Sequence, residues 1–250
     1  MPALTATPLG GAADATVLLL LPSLGGSYED WRPAAALLAE RWRVFGVDLP
    51  GHGASAIAEE PFTIADLAQG VLDVVDELDV DDFGVVGTSL GGAVVQELAL
   101  ADPEGLVFTG VVCAAPRMGD RDSWQERAAA VRRRGTGSLV GSLAERWFTP
   151  GFATAHPEVV GRVLAGVAAT DDESYALCCE ALGEWDARER ILAISVPVLA
   201  VRGENDPTAT EEAMRPLLRA PGVTERVIPR VRHQAAIEAP DAVAAALLGG

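Results

Sequence analysis

Along the chain, short runs of apolar and β-branched residues alternate with longer stretches whose apolar positions return every three or four residues. The short runs, residues 16–21, 44–48, 84–87, 106–114, 196–201 and 225–228, are mostly continuous rather than alternating. Strands buried on both faces read that way, as in a parallel sheet covered by helices. The longer stretches predict helices over 28–40, 63–78, 90–101, 210–219 and 240–248. In the second, Ile64, Leu67, Val71, Val74, Val75 and Leu78 share one face and acidic residues take the other. Strand and helix in alternation predict an α/β architecture.

The alternation breaks once. Residues 117–190 hold no convincing strand and read as several helices rich in charge and tryptophan. The expected organisation is a core of residues 1–116 and 191–250 with a helical cap, 117–190, inserted over the carboxyl edge of the sheet. Residues 1–15 leave little room for a leading hairpin before the first strand. Met1 to Gly10 lacks the basic start and apolar stretch of a signal peptide. No apolar run reaches the roughly 18–20 residues of a membrane span, so no membrane partner and a cytoplasmic location are expected.

Composition then narrows the chemistry. With 36 acidic and 19 basic residues among 250, the formal charge is −17, and every basic residue is arginine. Without lysine there is no Schiff-base lysine and no P-loop lysine. The acidic balance argues against a nucleic-acid partner, whose affinity rests on neutralised phosphates. Cys113, Cys178 and Cys179 lack Cys-x-x-Cys metal spacing and read as reduced packing residues. No metal or cofactor is expected.

Gly87-Thr88-Ser89-Leu90-Gly91 lies directly after one apolar run and before a helical one. This is Gly-x-Ser-x-Gly in the strand–turn–helix context that makes a serine nucleophile. The helix start supplies oriented N–H groups where an oxyanion would form. Three histidines compete for the role of base. His52, in Pro50-Gly51-His52-Gly53, reads as shaping a turn, and His156, before Pro157, as a surface or structural residue. His233 stands on a late loop between the last strand and the last helix and is the base by position. Asp206, just beyond the 196–201 strand, is the chosen acid, with Glu204 and Asp186 as competitors. The expected oxyanion donors are the N–H groups of Leu90 and of Leu24, in Pro22-Ser23-Leu24-Gly25-Gly26. Ser23 is placed to add a hydroxyl.

In the chain order serine, acid, histidine the sequence resembles the α/β-hydrolase superfamily over nearly its full length. Within it, the insertion resembles that of 3-oxoadipate enol-lactonases, on Trp124-Gln125-Glu126-Arg127, Glu145-Arg146-Trp147-Phe148-Thr149-Pro150-Gly151-Phe152, Ser174-Tyr175-Ala176-Leu177-Cys178-Cys179-Glu180-Ala181-Leu182 and Trp185-Asp186. Pro22-Ser23 replaces the His-Gly of many relatives, and Gln234-Ala235-Ala236 departs from the usual pattern after the histidine. The resemblance implies an α/β-hydrolase fold, a mostly parallel sheet flanked by helices with a helical cap. It places the catalytic serine, aspartate and histidine on Ser89, Asp206 and His233. The implied substrate is a small anionic lactone, opened to 3-oxoadipate in aromatic catabolism.

Charge distribution agrees with an anionic ligand. Residues 117–146 carry seven arginines and four acids, a local +3 within a chain at −20 elsewhere. Arg146, beside Trp147, is the favoured carboxylate partner, and Trp124, Trp147 and Trp185 are expected to line the pocket. Three functions fit the pattern: the lactonase, another carboxylic-ester hydrolase or thioesterase with the same triad, and a slow-turnover ligand receptor on this fold. Homo-oligomerisation is compatible with all three.

Overall fold

In a computed structural model that describes residues 3–249, seven strands among the described residues form one sheet. Residues 1, 2 and 250, which open and close the expected core and begin the segment read for a signal peptide, lie outside them. The strands are β1 Thr5–Gly10, β2 Val17–Leu21, β3 Arg43–Asp48, β4 Phe83–Thr88, β5 Leu106–Val112, β6 Val198–Gly203 and β7 Val223–Ile228. Their order is β1-β3-β2-β4-β5-β6-β7, all neighbours parallel except β1, which runs antiparallel to β3. Every residue of β2 (Val-Leu-Leu-Leu-Leu) and of β4 is buried, as unbroken apolar runs require.

The helices are α1 Arg32–Leu38, α2 Ile64–Glu77, α3 Leu90–Ala101, α4 Arg121–Arg134, α5 Val140–Trp147, α6 Pro150–Ala155, α7 Pro157–Ala169, α8 Asp172–Glu184, α9 Glu211–Leu218, α10 Ala235–Glu238 and α11 Pro240–Leu248. Where they differ from the sequence reading, the causes are local. Thr63 is the cap of α2, not its first residue: its hydroxyl accepts from the Asp66 N–H at 3.1 Å, and Asp66 Oδ2 accepts from the Thr63 N–H at 2.8 Å. The 28–40 stretch divides into a 3-10 turn, Tyr28–Trp31, and α1. β5 stops at Val112 because Cys113 takes φ +50°, outside the strand region. β6 starts after Pro197 and runs on to Gly203, paired with Ile228 of β7 beyond the end of β5.

The leading segment does hold a strand: β1 pairs with the edge of β3 from Thr5–Asp48 to Gly10–Val44, with a bulge between Pro8 and Gly10. Its exposed edge and its proline weaken the strand signal in the sequence. No helix among the described residues is long and apolar enough to cross a membrane.

From β2 the chain moves to β3 on one side, then crosses to β4 on the other. The carboxyl ends of β2 and β4 thus flank the point where winding reverses, where open α/β sheets leave a crevice. The loop after β2 is held there by His52. This fully buried ring accepts the Gly25 N–H on Nε2 at 2.9 Å, and its Nδ1 lies 2.8 Å from the Pro50 carbonyl as donor. Both contacts need the neutral ring, and burial lowers its pKa to about 4.

Helices α4 to α8 lie between β5 and β6 and do not make one separate core. Tyr175, Ala176, Leu177, Cys178 and Cys179 of α8 belong to the main core. Leu143, Trp147, Phe148, Val160, Val163 and Val167 form a second cluster that also takes in Ile237. At the end of α8, Trp185 departs from its expected place in the pocket. Its indole N–H donates to Glu97 Oε1 of α3 at 2.7 Å, and Arg190 reaches Glu97 Oε2 at 3.1 Å. Burial pushes the Glu97 carboxyl up, but the Arg190 and Trp185 hydrogen bonds outweigh it and hold the group below its ordinary value. Trp185 is a tie between α8 and α3, and it is not among the cavity-lining residues.

Trp185→Phe, which removes one hydrogen bond to a buried carboxylate, is expected to lower unfolding stability by about 1.5–3 kcal/mol in urea titrations. His52 gives a pH signature. Its unfolded value of 6.5 exceeds its folded value of about 4, so as pH falls through that window the unfolded chain takes up a proton that the native state refuses. Stability should therefore drop by up to about 3 kcal/mol between those limits. The drop should be smaller by that amount in His52→Asn, compared in urea titrations at pH 7 and pH 4.

Candidate active site

At the end of β4 the chain turns into α3 through Ser89, whose backbone adopts φ +54° and ψ −112°. A non-glycine residue there costs about 1–3 kcal/mol and persists only if its surroundings enforce it. Three backbone bonds do so: Ser89 N–H to the Val112 carbonyl at 2.9 Å, Ala93 N–H to the Ser89 carbonyl at 2.9 Å, and Gly91 N–H to the Pro22 carbonyl at 3.1 Å. The turn is also sterically closed. A Cβ on Gly87 would stand 2.2 Å from the Gly91 carbonyl, so β4 and α3 approach this closely only through glycine.

The structure brings Asp206, and neither competing acid, to His233. His233 Nδ1 lies 2.9 and 3.1 Å from the two Asp206 carboxylate oxygens, with both residues buried. Burial pushes the Asp206 carboxyl up, yet the His233 ring and the Thr208 and Ala209 backbone donors hold it below its usual range. The loops carrying the pair are joined by Asn205 N–H to the Val231 carbonyl at 2.9 Å. Glu204 accepts the Arg230 N–H at 2.9 Å, and Asp186 pairs with Arg188 at 2.6 Å. His156 is half exposed near Glu158, and His52 is committed to the fold contacts above.

Ser89 and His233 face one cavity of about 210 Å³. Ser23 and Leu24, from the loop after β2, line it on the same side. Among the described residues, the Leu24 and Leu90 N–H groups donate to no other residue, and Leu90 opens α3. Trp124, Trp147 and Arg146, from the inserted helices, line the cavity together with Leu143.

Arg127 also lines this cavity and was missed by the sequence reading. The available signal was its spacing: three residues after Trp124, it falls on the same helix face, and its guanidinium sits 4.8 Å from the Trp124 ring centroid. The structure sorts the seven arginines of this region. Arg132 bridges Glu173 and Glu180 of α8, Arg121 pairs with Glu184, and Arg117 donates to the Trp185 carbonyl. Arg133 and Arg134 are exposed. Arg127 and Arg146 alone among the seven line the cavity, and neither has a carboxylate within 4.0 Å among the described residues. Partial burial, then the charge of Arg127, lowers the Arg146 pKa from the ordinary arginine value.

Comparison with known proteins places this geometry. A sequence model of the alpha/beta hydrolase family matches residues 18–246. The chain is 36% identical over 200 residues to 3-oxoadipate enol-lactonase 2 of Acinetobacter baylyi, covering 80% of this chain and 75% of that one. It is 31% identical to 3-oxoadipate enol-lactonase 1 of the same organism, covering 81% and 76%. Among solved structures, the enol-lactonase from Burkholderia xenovorans LB400 superposes with a TM-score of 0.94 at 29% identity, over 98% of this chain and 95% of that one. The chain belongs to the alpha/beta hydrolase family and is a carboxylic-ester hydrolase.

Proposed function

We propose that the protein hydrolyses 3-oxoadipate enol-lactone to 3-oxoadipate, a step of aromatic-compound breakdown, with Ser89, His233 and Asp206 as its catalytic triad. The observation that carries this reading is the pair of arginines, Arg127 and Arg146, that line the cavity of Ser89 without a carboxylate of their own. Two uncompensated cations are costly beside a partly desolvated cavity unless a ligand brings negative charge. A lactone with an acetate arm supplies it. The likeness to enol-lactonases points to the same substrate class.

In the mechanism, Asp206 holds the His233 ring so that Nδ1–H points to the carboxylate and Nε2 is left to accept a proton. Ser89 Oγ attacks the lactone carbonyl as its proton passes to His233. The tetrahedral oxyanion accepts from the Leu90 and Leu24 N–H groups, each such donor being worth roughly 3–4 kcal/mol in other enzymes. Collapse breaks the ring C–O bond. The enolate oxygen takes the proton from His233 and the enol ketonises, leaving an acyl group on Ser89. Water, deprotonated by His233, attacks the acyl carbon and releases the second carboxylate and the Ser89 hydroxyl. The anionic arm lies against Arg146 and Arg127 throughout, with Trp124 and Trp147 closing the apolar sides.

A spectrophotometric assay with 3-oxoadipate enol-lactone beside a short neutral ester tests the reading. Preference for the ester would point to a different ester hydrolase, and a single burst without turnover to a receptor. Ser89→Ala should lower kcat by roughly 10⁵- to 10⁶-fold with the circular dichroism spectrum intact; activity near wild type would remove Ser89 as nucleophile. Arg146→Ala should raise KM for the anionic lactone roughly 10- to 100-fold, the size of a lost charge-assisted contact. KM for the neutral ester should hardly move, and equal losses on both would take Arg146 out of the substrate site.

A further inference from the structure

His233 is followed by a buried amide whose contacts the triad does not explain. Gln234 is 2% exposed, and its side-chain Nε2 donates to Ser23 Oγ at 2.8 Å, across 211 residues of sequence. Its backbone is equally committed. The Gln234 N–H donates to the Trp147 carbonyl at 3.2 Å, and its carbonyl accepts from Ile237 and Glu238, the last two residues of α10. The side chain is therefore anchored at its root and directed onto one hydroxyl.

Ser23 is 2% exposed and lines the cavity beside Leu24 and Ser89. A hydroxyl carries one donor and two acceptor positions. With Gln234 N–H occupying an acceptor position, the Ser23 proton must point elsewhere, and among the described residues no acceptor takes it. The surrounding loop leaves this rotamer room: a Cβ on Gly26 would come within 3.0 Å of Ser23 Oγ and 2.5 Å of the Asp30 carboxylate. A buried hydroxyl proton without a protein acceptor, on the wall of a cavity lined also by Leu24 and Ser89, is a donor awaiting a ligand.

We infer that Ser23 Oγ–H is a third oxyanion donor, beside Leu24 N–H and Leu90 N–H, and that Gln234 is the positioning residue that fixes its polarity. The inference rests on acyl transfer at Ser89 and goes beyond it. Gln234 never touches the reacting atoms; by donating to Ser23 it compels Ser23 to donate in turn. An acceptor at position 234 would capture the Ser23 proton and leave a lone pair facing the oxyanion, where it repels charge.

The test compares Ser23→Ala, Gln234→Glu, Gln234→Leu and the double variant Ser23→Ala/Gln234→Glu, assayed on 4-nitrophenyl acetate. This neutral activated ester does not depend on the arginine pair, so inactivity on the enol-lactone would sink the substrate reading without affecting the comparison. Ser23→Ala is expected to lower kcat on the order of 100-fold with KM nearly constant. Gln234→Glu, which reverses the hydrogen bond, should match that loss, and the double variant should lose no more than Ser23→Ala alone. Gln234→Leu, which frees the Ser23 proton without capturing it, should fall between wild type and Gln234→Glu. If Gln234→Glu fails to fold, as seen in its unfolding midpoint, Ser23→Ala against Gln234→Leu still decides, since a loss in Gln234→Leu as large as that of Ser23→Ala, or no loss at all, would overturn the polarity role. Ser23→Ala within about twofold of wild type in kcat would overturn the third donor. A loss in Gln234→Glu that adds fully to that of Ser23→Ala, or Gln234→Leu losing as much as Gln234→Glu, would overturn the polarity role.

Discussion

The approach of β4 to the first turn of α3 is the contact on which the site depends. Gly87 and Gly91 meet so closely that no side chain fits between them, and the chain can turn there only by forcing Ser89 into a left-handed conformation. That strain is held by neighbours from three directions, since the bonds enforcing it come from β5, from α3 and from the loop after β2. One of them, Gly91 N–H to the Pro22 carbonyl, also fixes where the Ser23–Leu24 loop stands relative to the serine. The hydroxyl, the helix N-terminus and the loop donors are thus set by one backbone arrangement. Preorganisation of this kind lets fixed dipoles act on a developing charge without first having to reorient.

Electrostatics around that arrangement are divided by burial and pairing. Beneath the cavity, His52 stays neutral because it is enclosed, while Asp206 stays charged because its hydrogen bonds outweigh its burial. Above it, Arg121 and Arg132 fasten α4 to α8 through glutamate partners, while Arg127 and Arg146, without such partners, line the cavity. The same residue type is structural in one place and available to a ligand in the other; only the presence of a carboxylate partner distinguishes them. A chain whose only cations are arginines therefore still presents a locally positive wall inside a strongly acidic protein.

Much of this was legible in the sequence because the signals were local. Unbroken apolar runs marked the central strands, and Gly87-x-Ser89-x-Gly91 between a strand and a helix marked the turn. Asp206 and His233 were readable as residues just beyond strand ends, in an order with few alternatives. What escaped was set by distant contacts. β1 has an exposed edge and a proline, so its pairing with β3 supplies what its sequence lacks. Trp185 looked like its fellow cap tryptophans, and nothing near it in sequence announced Glu97, 88 residues away. Arg127 was one of seven arginines, separated from the others only once Glu173, Glu180 and Glu184 had claimed their partners.

The division of the helical segment between two apolar clusters has a mechanical consequence. Parting α8 from the main core would expose Tyr175, Cys178 and Cys179, each fully buried there. The smaller cluster around Trp147 and Val163 takes in Ile237, shares Leu139 with the main core, and is tied to the His233 loop by Gln234 N–H to the Trp147 carbonyl. Arg146 and Trp147 sit on α5 against the smaller cluster, while Trp124 and Arg127 sit on α4, packed against α8. The two guanidinium groups therefore stand on helices anchored in different apolar clusters, so the span between them is set by how the two clusters are joined.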